Sequence, residues 1–426
     1  MPLHERLQAE GSIGEAARAL PNRTIDPLTR PEAARARTVL VLHRGGGQIR
    51  GSEEVLLAFL AGLRRDRFRP VVLHSDPVLR EPLAALGVEG AVHDFPEILL
   101  SRGEPKLPLL RWFGALRRMT AVARAERAEL VLASGGGPCQ LGVPVARRLG
   151  VPLVCLLHHP APAYLHRAWL TRRADRHVFI SRFTADHTRE RIGRGGVVVA
   201  PGIDVHGRFT PPARRDPAVR LKMGIATDEV VFAQVGALVP HKEHALLLDA
   251  FARVRRIRPN VRLLVIGAGP EEARLRERAL GLGLESAVTF TGRVDDVVPF
   301  LRHVVDVNVL ASREEGLGLV NVEAAACRIP TVAADATGVR ESVVHGHTGL
   351  LFPPGEVGAL ASFMLRLARD AALRAAMGAE GRAFAVERFS LERFNARMEA
   401  VLEDALVPRA ASEASAPAAA MEAAHA

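Results

Sequence analysis

The chain has 426 residues, of which 48% are hydrophobic, so it is long enough for two domains with sizeable cores. Its formal net charge is +10, but aromatic residues make up only 4%, which argues against a binder of single-stranded nucleic acid that works by stacking. The cysteines Cys139, Cys155 and Cys327 are far apart and form no CxxC or Cys/His cluster. This spacing argues against a disulfide scaffold or a zinc site and fits a reducing compartment.

The amino-terminal segment and the hydropathy pattern bear on localisation. Residues 1–37 mix Ala, Arg, Glu and Pro without a long period, so we expect a loosely packed extension. The segment lacks the apolar stretch of a secretory signal. Because no run of about 18 apolar residues appears, we expect a cytoplasmic protein, at most peripheral to the inner face of a membrane.

The first strand–glycine–helix unit follows this extension. Residues 38–42 predict a strand, and the glycine-rich residues 45–51 predict a turn. Ser52 is expected to cap the next helix, with Glu53 and Glu54 in its first turn. The apolar stripe of that helix consists of Val55, Leu56, Phe59, Leu60 and Leu63. A glycine-rich turn by itself is equally compatible with a flexible loop.

Strand and helix signals alternate through the rest of the first half. The predicted strands are 70–74, 129–133, 151–157 and 177–180. Such alternation predicts a mostly parallel sheet with helices on both faces. His158 and His159 follow the third of these strands, at the carboxyl edge where open α/β sheets bind ligands. A histidine there can orient a sugar hydroxyl, or it can be an ordinary loop residue.

The second half repeats this architecture. Its predicted strands 230–235, 261–266 and 288–291 lead into Gly236, Gly267 and Gly292 respectively. Lys242 follows the first strand, where a cation near a helix N-terminus can neutralise a diphosphate. Two successive βα halves predict two Rossmann-like domains facing a cleft. The pair Asp295-Asp296 lacks a DxD spacing, so we expect no metal site.

The most informative stretch joins a strand to a helix through a Gly-Leu-Gly turn. Residues 304–310 predict a buried strand, and residues 320–326 predict a buried helix. This order places a helix N-terminus at the carboxyl end of a strand, where backbone N–H groups and the helix dipole can hold a phosphate. Glu315 in the loop and Glu323 in the helix are candidates for ligand contacts. The alternative for each acid is a solvated side chain.

Glu315-Gly-Leu-Gly-Leu-Val-Asn-Val-Glu323 resembles the paired-glutamate motif of the retaining GT-B glycosyltransferases of family GT4. The same pattern continues downstream in residues 324–333, Gly338, Glu341 and residues 346–352. The resemblance covers about residues 38–405. It implies an α/β GT-B fold, in which two Rossmann-like domains face a central cleft and a carboxyl-terminal helix crosses back to the first domain.

The resemblance also sets the expected domain boundaries. They are an amino-terminal extension at 1–37, an acceptor-side domain at 38–204, a linker at 205–225, a donor-nucleotide domain at 226–388, a crossover helix at 389–409 and a disordered tail at 410–426.

The implied activity is hexosyl transfer from a nucleoside diphosphate sugar to a glycan, lipid-linked or small-molecule acceptor of the cell envelope. It would proceed with retention, without a metal and without another cofactor. The catalytic candidates are Glu315, Lys242 and His158, the last favoured over His159 because it is nearer to the strand. Glu323 would contact the nucleoside ribose.

The remaining donor-side candidates are mainly backbone positions. Gly318 and Leu319 would hold the diphosphate together with Lys242. The other donor-binding candidates are Gly46, Gly47, Gly236, Gly267, Gly292 and Val320. Gly46 and Gly47 would also line the acceptor side with His158.

Two positions depart from the family pattern. Ala237 stands where GT4 enzymes usually carry an arginine, which removes one expected phosphate contact; His241 is a candidate replacement. Arg328 stands where the family typically has glycine just after the helix, and its cation suits a helix C-terminus.

Residues 106–128 hold six basic residues against one acid. Their apolar positions fall roughly on one helical face, formed by Leu109, Trp112, Phe113, Leu116, Met119 and Ala123. Such a helix can lie on an anionic membrane that carries the acceptor, or it can be a core helix with a solvated arginine face.

Three other functions are compatible with the sequence. They are a sugar-nucleotide epimerase of similar fold, a sugar-nucleotide-binding protein with little turnover, and, third, a basic nucleic-acid binder. We expect no nucleic-acid partner.

Overall fold

The computed structural model describes residues 35–47, 49, 51–99, 107–193 and 195–407. Most of the expected amino-terminal extension, residues 1–34, and the expected tail lie outside these ranges. Within them, no helix combines the length and the apolarity needed to cross a membrane.

The chain forms two compact units. The N-unit comprises Ala36–Asp204 together with the chain from Arg388 onward, and the C-unit comprises Val205–Glu387. Residues 205–225, expected to form a linker, therefore belong to the C-unit.

A parallel sheet forms the centre of the N-unit. Its strands are β1 Arg37–His43, β2 Phe68–His74, β3 Glu89–Val92, β4 Leu130–Ser134, β5 Leu153–Leu157, β6 Arg176–Phe179 and β7 Val197–Val198. Their order across the sheet is β3-β2-β1-β4-β5-β6-β7. The switch between β1 and β4 places the carboxyl ends of these two strands side by side, with His43 paired to Ser134.

Helices cover this sheet, as the alternating pattern predicts. They are α1 Gly51–Gly62, α2 Arg80–Ala85, α3 Leu109–Ala125, α4 Cys139–Leu149, α5 Ala163–Ala168 and α6 Arg182–Ile192. Helix α1 begins at Gly51, so the prediction that Ser52 caps it is wrong. The Ser52 hydroxyl instead donates to Glu53 Oε2 at 2.9 Å, because both side chains lie in the first turn.

The C-unit repeats the arrangement with a second parallel sheet. Its strands are β8 Val230–Val235, β9 Val261–Ile266, β10 Val288–Gly292, β11 Val307–Leu310, β12 Thr331–Ala334 and β13 Gly349–Phe352, in the order β10-β9-β8-β11-β12-β13. Its helices are α7 Pro217–Lys222, α8 His244–Ile257, α9 Glu272–Gly281, α10 Val298–His303, α11 Leu319–Ala326, α12 Val357–Arg369 and α13 Ala371–Phe389. The two sheets confirm the predicted pair of Rossmann-like domains.

The carboxyl-terminal helix α14, Leu391–Leu406, packs in the N-unit. Phe394 meets Phe59 of α1 edge to face, with ring centroids 6.3 Å apart. The buried Glu399 carboxylate accepts hydrogen bonds from Arg64 N at 2.8 Å and Arg64 Nε at 2.6 Å. These contacts confirm that the terminal helix returns to the first domain.

Asp306 explains why the segment before β8 is part of the C-unit. Its carboxylate accepts from Arg215 and from the buried Arg220, both at 2.7 Å, and from Val231 N at 2.8 Å. A carboxylate that is largely removed from water requires such partners. The arginines thereby hold residues 215–220 against the sheet.

Two of the three cysteines, which are far apart in the sequence, lie close together in the structure. The Sγ atoms of Cys139 and Cys155 lie 3.1 Å apart as free, buried thiols. Cys139 begins the helix that follows β4, and Cys155 lies on β5, the neighbour of β4 in the sheet. Separation along the sequence does not reveal this proximity. Burial raises the pKa of the Cys139 thiol, so it is a poor nucleophile.

Candidate functional site

Three glycines mark the carboxyl edge of the C-unit sheet. Gly236 and Gly267 follow the adjacent strands β8 and β9, and Gly292 ends β10. Gly267 has φ of 142°, and a Cβ built there would lie 2.0 Å from the Gly236 carbonyl oxygen. A side chain is therefore excluded at this position, and the backbone of neighbouring strand ends packs directly together.

Lys242 and Glu315 meet at the same edge. Lys242 ends a 3-10 turn at Pro240–Lys242, and its Nζ donates to Glu315 Oε1 at 2.5 Å. The side chains are 20% and 11% exposed, so water screens their charges only partly. The lysine and one of the paired glutamates predicted from the sequence thus form one charged cluster.

Gln234 fixes the loops that carry this cluster. Its side chain is fully buried in β8. Its amide nitrogen donates to the Lys242 carbonyl at 2.8 Å, and its amide oxygen accepts from Ala311 N, at the end of β11, at 3.1 Å. Sequence reasoning missed this residue, whose only signal is an amide within an apolar strand.

The Glu315 loop has a second support. Glu315 N donates to Thr337 Oγ1 at 2.8 Å, and the Glu315 carbonyl accepts from Thr337 Oγ1 at 3.0 Å and from Gly338 N at 3.1 Å. A Cβ at Gly338 would lie 2.1 Å from Gly316 O. This close approach explains why glycine stands at position 338.

Helix α11 begins at this loop, as the sequence predicts. Its N-cap is Gly318 with φ of 81°, and Leu319 and Val320 form its first turn. The buried Asn308 donates to Asn321 Oδ1 at 3.0 Å, and Asn321 donates to Ser342 Oγ at 3.1 Å. These bonds fix the start of α11 against β11, while Glu323 is half-buried further along the helix.

The two departures from the family pattern occupy different environments. Ala237 is half-buried directly after Gly236, whereas His241 is exposed and its carbonyl accepts from Arg313 N at 2.9 Å. The Arg313 guanidinium is paired with Glu243. Arg328 has φ of 62°, the left-handed conformation that favours glycine. Glycine is also the residue that the family typically has at this position, so the arginine occupies a backbone geometry suited to glycine.

The N-unit places His158 at its own carboxyl edge. His158 follows β5 and is 7% exposed, whereas His159 is exposed. His158 Nε2 lies 3.2 Å from Ser134 Oγ. Desolvation by burial, reinforced by the neighbouring His43 and His159, lowers the pKa of His158 to about 3. The imidazole is therefore neutral near pH 7.

The glycine-rich loop lies beside β2. Gly45 N donates to Ser75 Oγ at 3.0 Å, and Gly47 N donates to Asp76 Oδ2. Gly46 and Gly47 are exposed, while Gln48 and Arg50 lie outside the described residues. Asp76, which the sequence did not single out, is thus the anchor of this loop.

The predicted catalytic and donor-binding residues therefore divide between the units. The C-unit carries Gly236, Lys242, Gly267, Gly292, Glu315, Gly318, Leu319, Val320 and Glu323. The N-unit carries Gly46, Gly47 and His158.

The predicted apolar face of residues 106–128 has two parts. Leu116, Met119 and Ala123 are buried in the N-unit core, so this half of α3 is a core helix. At its amino-terminal end Leu110 is 91% exposed and Phe113 is 55% exposed. Lys106 lies outside the described residues.

Known families match both halves of the chain. Residues 217–384 match the model for "Glycosyl transferases group 1", and residues 49–206 match that for "Glycosyltransferase Family 4". The chain belongs to this GT4 family of GT-B glycosyltransferases. It is therefore an enzyme of the glycosyl-transferring class.

Its similarity to particular relatives is moderate. It is 29% identical over 303 residues to the GDP-mannose-dependent alpha-(1-6)-phosphatidylinositol monomannoside mannosyltransferase of Mycolicibacterium smegmatis, covering 67% of this chain and 79% of that protein. The Mycobacterium tuberculosis H37Rv protein of the same description is 30% identical, with 67% and 74% covered. The D-inositol 3-phosphate glycosyltransferase of Geodermatophilus obscurus is 37% identical over 39% of this chain and 40% of that protein.

A solved structure supports the fold. Anabaena Alr3699/HepE in complex with UDP and glucose superposes with a TM-score of 0.76 at 24% identity, covering 86% of this chain and all of that one.

The left-handed conformation of Arg328 leads to a stability prediction. Arg328→Gly should raise the free energy of unfolding by about 1 kcal/mol, because glycine adopts this conformation without a Cβ penalty. Arg366→Gly, at an exposed interior position of α12, is the control and should lower it by about 1 kcal/mol. Urea unfolding measures both, and destabilisation by Arg328→Gly would contradict the prediction.

Proposed function

We propose that the enzyme transfers a hexose from a nucleoside diphosphate sugar with retention of the anomeric configuration and without a metal ion. The contact between Lys242 and Glu315 beside the N-terminus of α11 carries this proposal. It provides a cation and backbone N–H groups for a departing diphosphate, next to a carboxylate that can accept hydrogen bonds from sugar hydroxyls.

The proposed roles follow from the charges. Lys242 exchanges its contact with Glu315 for one with the diphosphate when the donor binds, and it then stabilises the negative charge that develops on the leaving group. Glu315 becomes available to the hydroxyls of the donor sugar. Glu323, further along α11, holds the ribose.

GDP-mannose is the donor to test first. Two relatives that align with this chain over most of their own length are described as GDP-mannose-dependent. The UDP bound to HepE makes uridine the second base to test. Ala237 in place of arginine makes Lys242 the principal cation for the diphosphate in the described part of the loop after β8.

The N-unit has a candidate acceptor surface. A cavity of about 420 Å³ is lined partly by Arg44, Asp94, Glu97, Leu107 and Arg111. Charged groups beside an apolar side chain suit an acceptor that has both a hydroxylated head and a lipid portion. We propose a lipid-linked polyol or glycan, in agreement with the phosphatidylinositol monomannoside named for the relatives.

Glu315→Gln separates binding from transfer. Removing the carboxylate leaves Lys242 without its ionic partner, so affinity for GDP or UDP should be unchanged or higher. Transfer should fall about tenfold to hundredfold, the equivalent of one hydrogen bond between charged or strongly polar groups.

The measurement combines a thermal-shift series with a transfer assay. UDP, GDP, ADP and their sugar conjugates are compared with and without EDTA, and NMR determines the anomeric configuration of the product. A selective, EDTA-insensitive shift with a retained product supports the proposal. Inversion, a requirement for metal, or an altered free sugar formed without acceptor would contradict it.

A second proposal concerns peripheral contact with an anionic membrane. The exposed apolar residues at the start of α3 lie on the same helix as Arg111, Arg117 and Arg118, which are also exposed. Leu110→Glu should reduce binding to anionic vesicles at least about tenfold, because insertion of one leucine contributes about 1.5–3 kcal/mol.

Leu280→Glu, at an exposed position of α9, is the matched control. Co-sedimentation with anionic and neutral vesicles measures the effect. Equal recovery with both lipids, unaffected by salt, would contradict the membrane proposal.

A further inference from the structure

Four buried polar side chains form a continuous chain of hydrogen bonds in the N-unit. Glu53 Oε1 lies 3.2 Å from His43 Nε2, and His43 Nδ1 lies 3.1 Å from Ser134 Oγ. Ser134 Oγ lies 3.2 Å from His158 Nε2. All four residues are at most 7% exposed.

The sheet topology builds this chain. His43 and Ser134 end the adjacent strands β1 and β4, and His158 directly follows β5, the neighbour of β4. Glu53 lies in the first turn of α1. The side chains therefore meet through strand order, although 105 positions separate Glu53 from His158.

The carboxylate at one end determines the direction of every bond when both imidazoles are neutral. An ionised carboxylate only accepts, so His43 carries its proton on Nε2 and presents a bare Nδ1. The Ser134 hydroxyl must then donate to His43, which leaves its lone pairs to accept from His158 Nε2–H. His158 Nδ1 is consequently a bare acceptor.

The pKa shifts of the two end groups, Glu53 and His158, agree with this direction. Burial alone would raise the pKa of Glu53, but the hydrogen bond from His43 and the polar contacts around it lower the pKa below its ordinary value. The low pKa of His158 keeps that imidazole neutral.

His158 Nδ1 is buried and has no hydrogen-bond partner among the described residues. Buried polar atoms are normally satisfied, so an unsatisfied acceptor at the ligand-binding edge of a sheet is suited to a ligand that donates a proton. A hydroxyl group donates, whereas an ionised phosphate only accepts.

We propose that Glu53, His43 and Ser134 are positioning residues that fix His158 in the tautomer with a bare Nδ1, and that this atom accepts a hydrogen bond from a substrate hydroxyl. The new element is the positioning role of Glu53, His43 and Ser134, since a hydroxyl contact of His158 already follows from the family resemblance; the inference rests on the proposed function only for the substrate.

Nitrogen-15 NMR of the free protein tests the tautomer without substrate. At about pH 8, histidine-labelled protein should show a protonated Nε2 and a bare Nδ1 for His158, assigned by the loss of these signals in His158→Asn. A protonated Nδ1 would overturn the proposal. This readout is independent of whether any nucleotide sugar is turned over.

A double-mutant cycle tests transmission along the chain. Glu53→Gln should shift the His158 nitrogen signals and lower kcat about tenfold with little change in donor KM, although Glu53 does not touch His158. In a Ser134→Ala background the same substitution should leave those signals unchanged. Equal shifts in both backgrounds, or none in either, would overturn the proposal.

Thr171→Ala is the matched control. It removes another buried hydroxyl that lies 3.0 Å from a buried histidine, His166, and should leave the His158 signals and kcat unchanged. If Glu53→Gln does not fold, Ser134→Ala alone serves as the test. Its His158 Nε2–H should then exchange faster with solvent, and Ser134→Thr should restore protection; unchanged exchange in Ser134→Ala would overturn the proposal.

Discussion

The proposed donor side depends on one contact, that between the Lys242 ammonium and the Glu315 carboxylate. The two side chains come from loops after β8 and β11, which are neighbours in the sheet. The buried Gln234 amide is hydrogen-bonded to both loop regions. It therefore holds the loops that carry Lys242 and Glu315 in place. Because the side chains are largely shielded from water, their charges act more strongly than they would on the surface.

The N-unit uses the same structural device with different chemistry. There, too, neighbouring parallel strand ends bring polar side chains together, but the edge ends in a neutral imidazole. A cation and helix N–H groups suit a diphosphate, whereas a bare imidazole nitrogen suits a hydroxyl. Under the proposed function, the two ligand chemistries of glycosyl transfer would correspond to two sheet edges of one repeated architecture.

The sequence was sufficient for the local features of this architecture. Apolar runs predicted most of the strands, but not β3, whose four residues are all exposed. The Gly-Leu-Gly turn predicted the start of α11. Ser134, Gln234 and Asp306 were not found, because their importance depends on which strands are neighbours. The contact between Cys139 and Cys155 was missed for the same reason. The predicted cap at Ser52 failed because Ser52 lies inside α1, which begins at Gly51.

The most direct test of the donor account is calorimetric titration of GDP and UDP into Lys242→Met and Lys222→Met. The first variant removes the cation at the sheet edge, and the second removes the lysine that ends α7. We expect Lys242→Met to weaken nucleoside diphosphate binding at least about tenfold, the effect of losing one charge-assisted hydrogen bond, and Lys222→Met to bind like the wild type. Wild-type affinity in Lys242→Met would contradict the account.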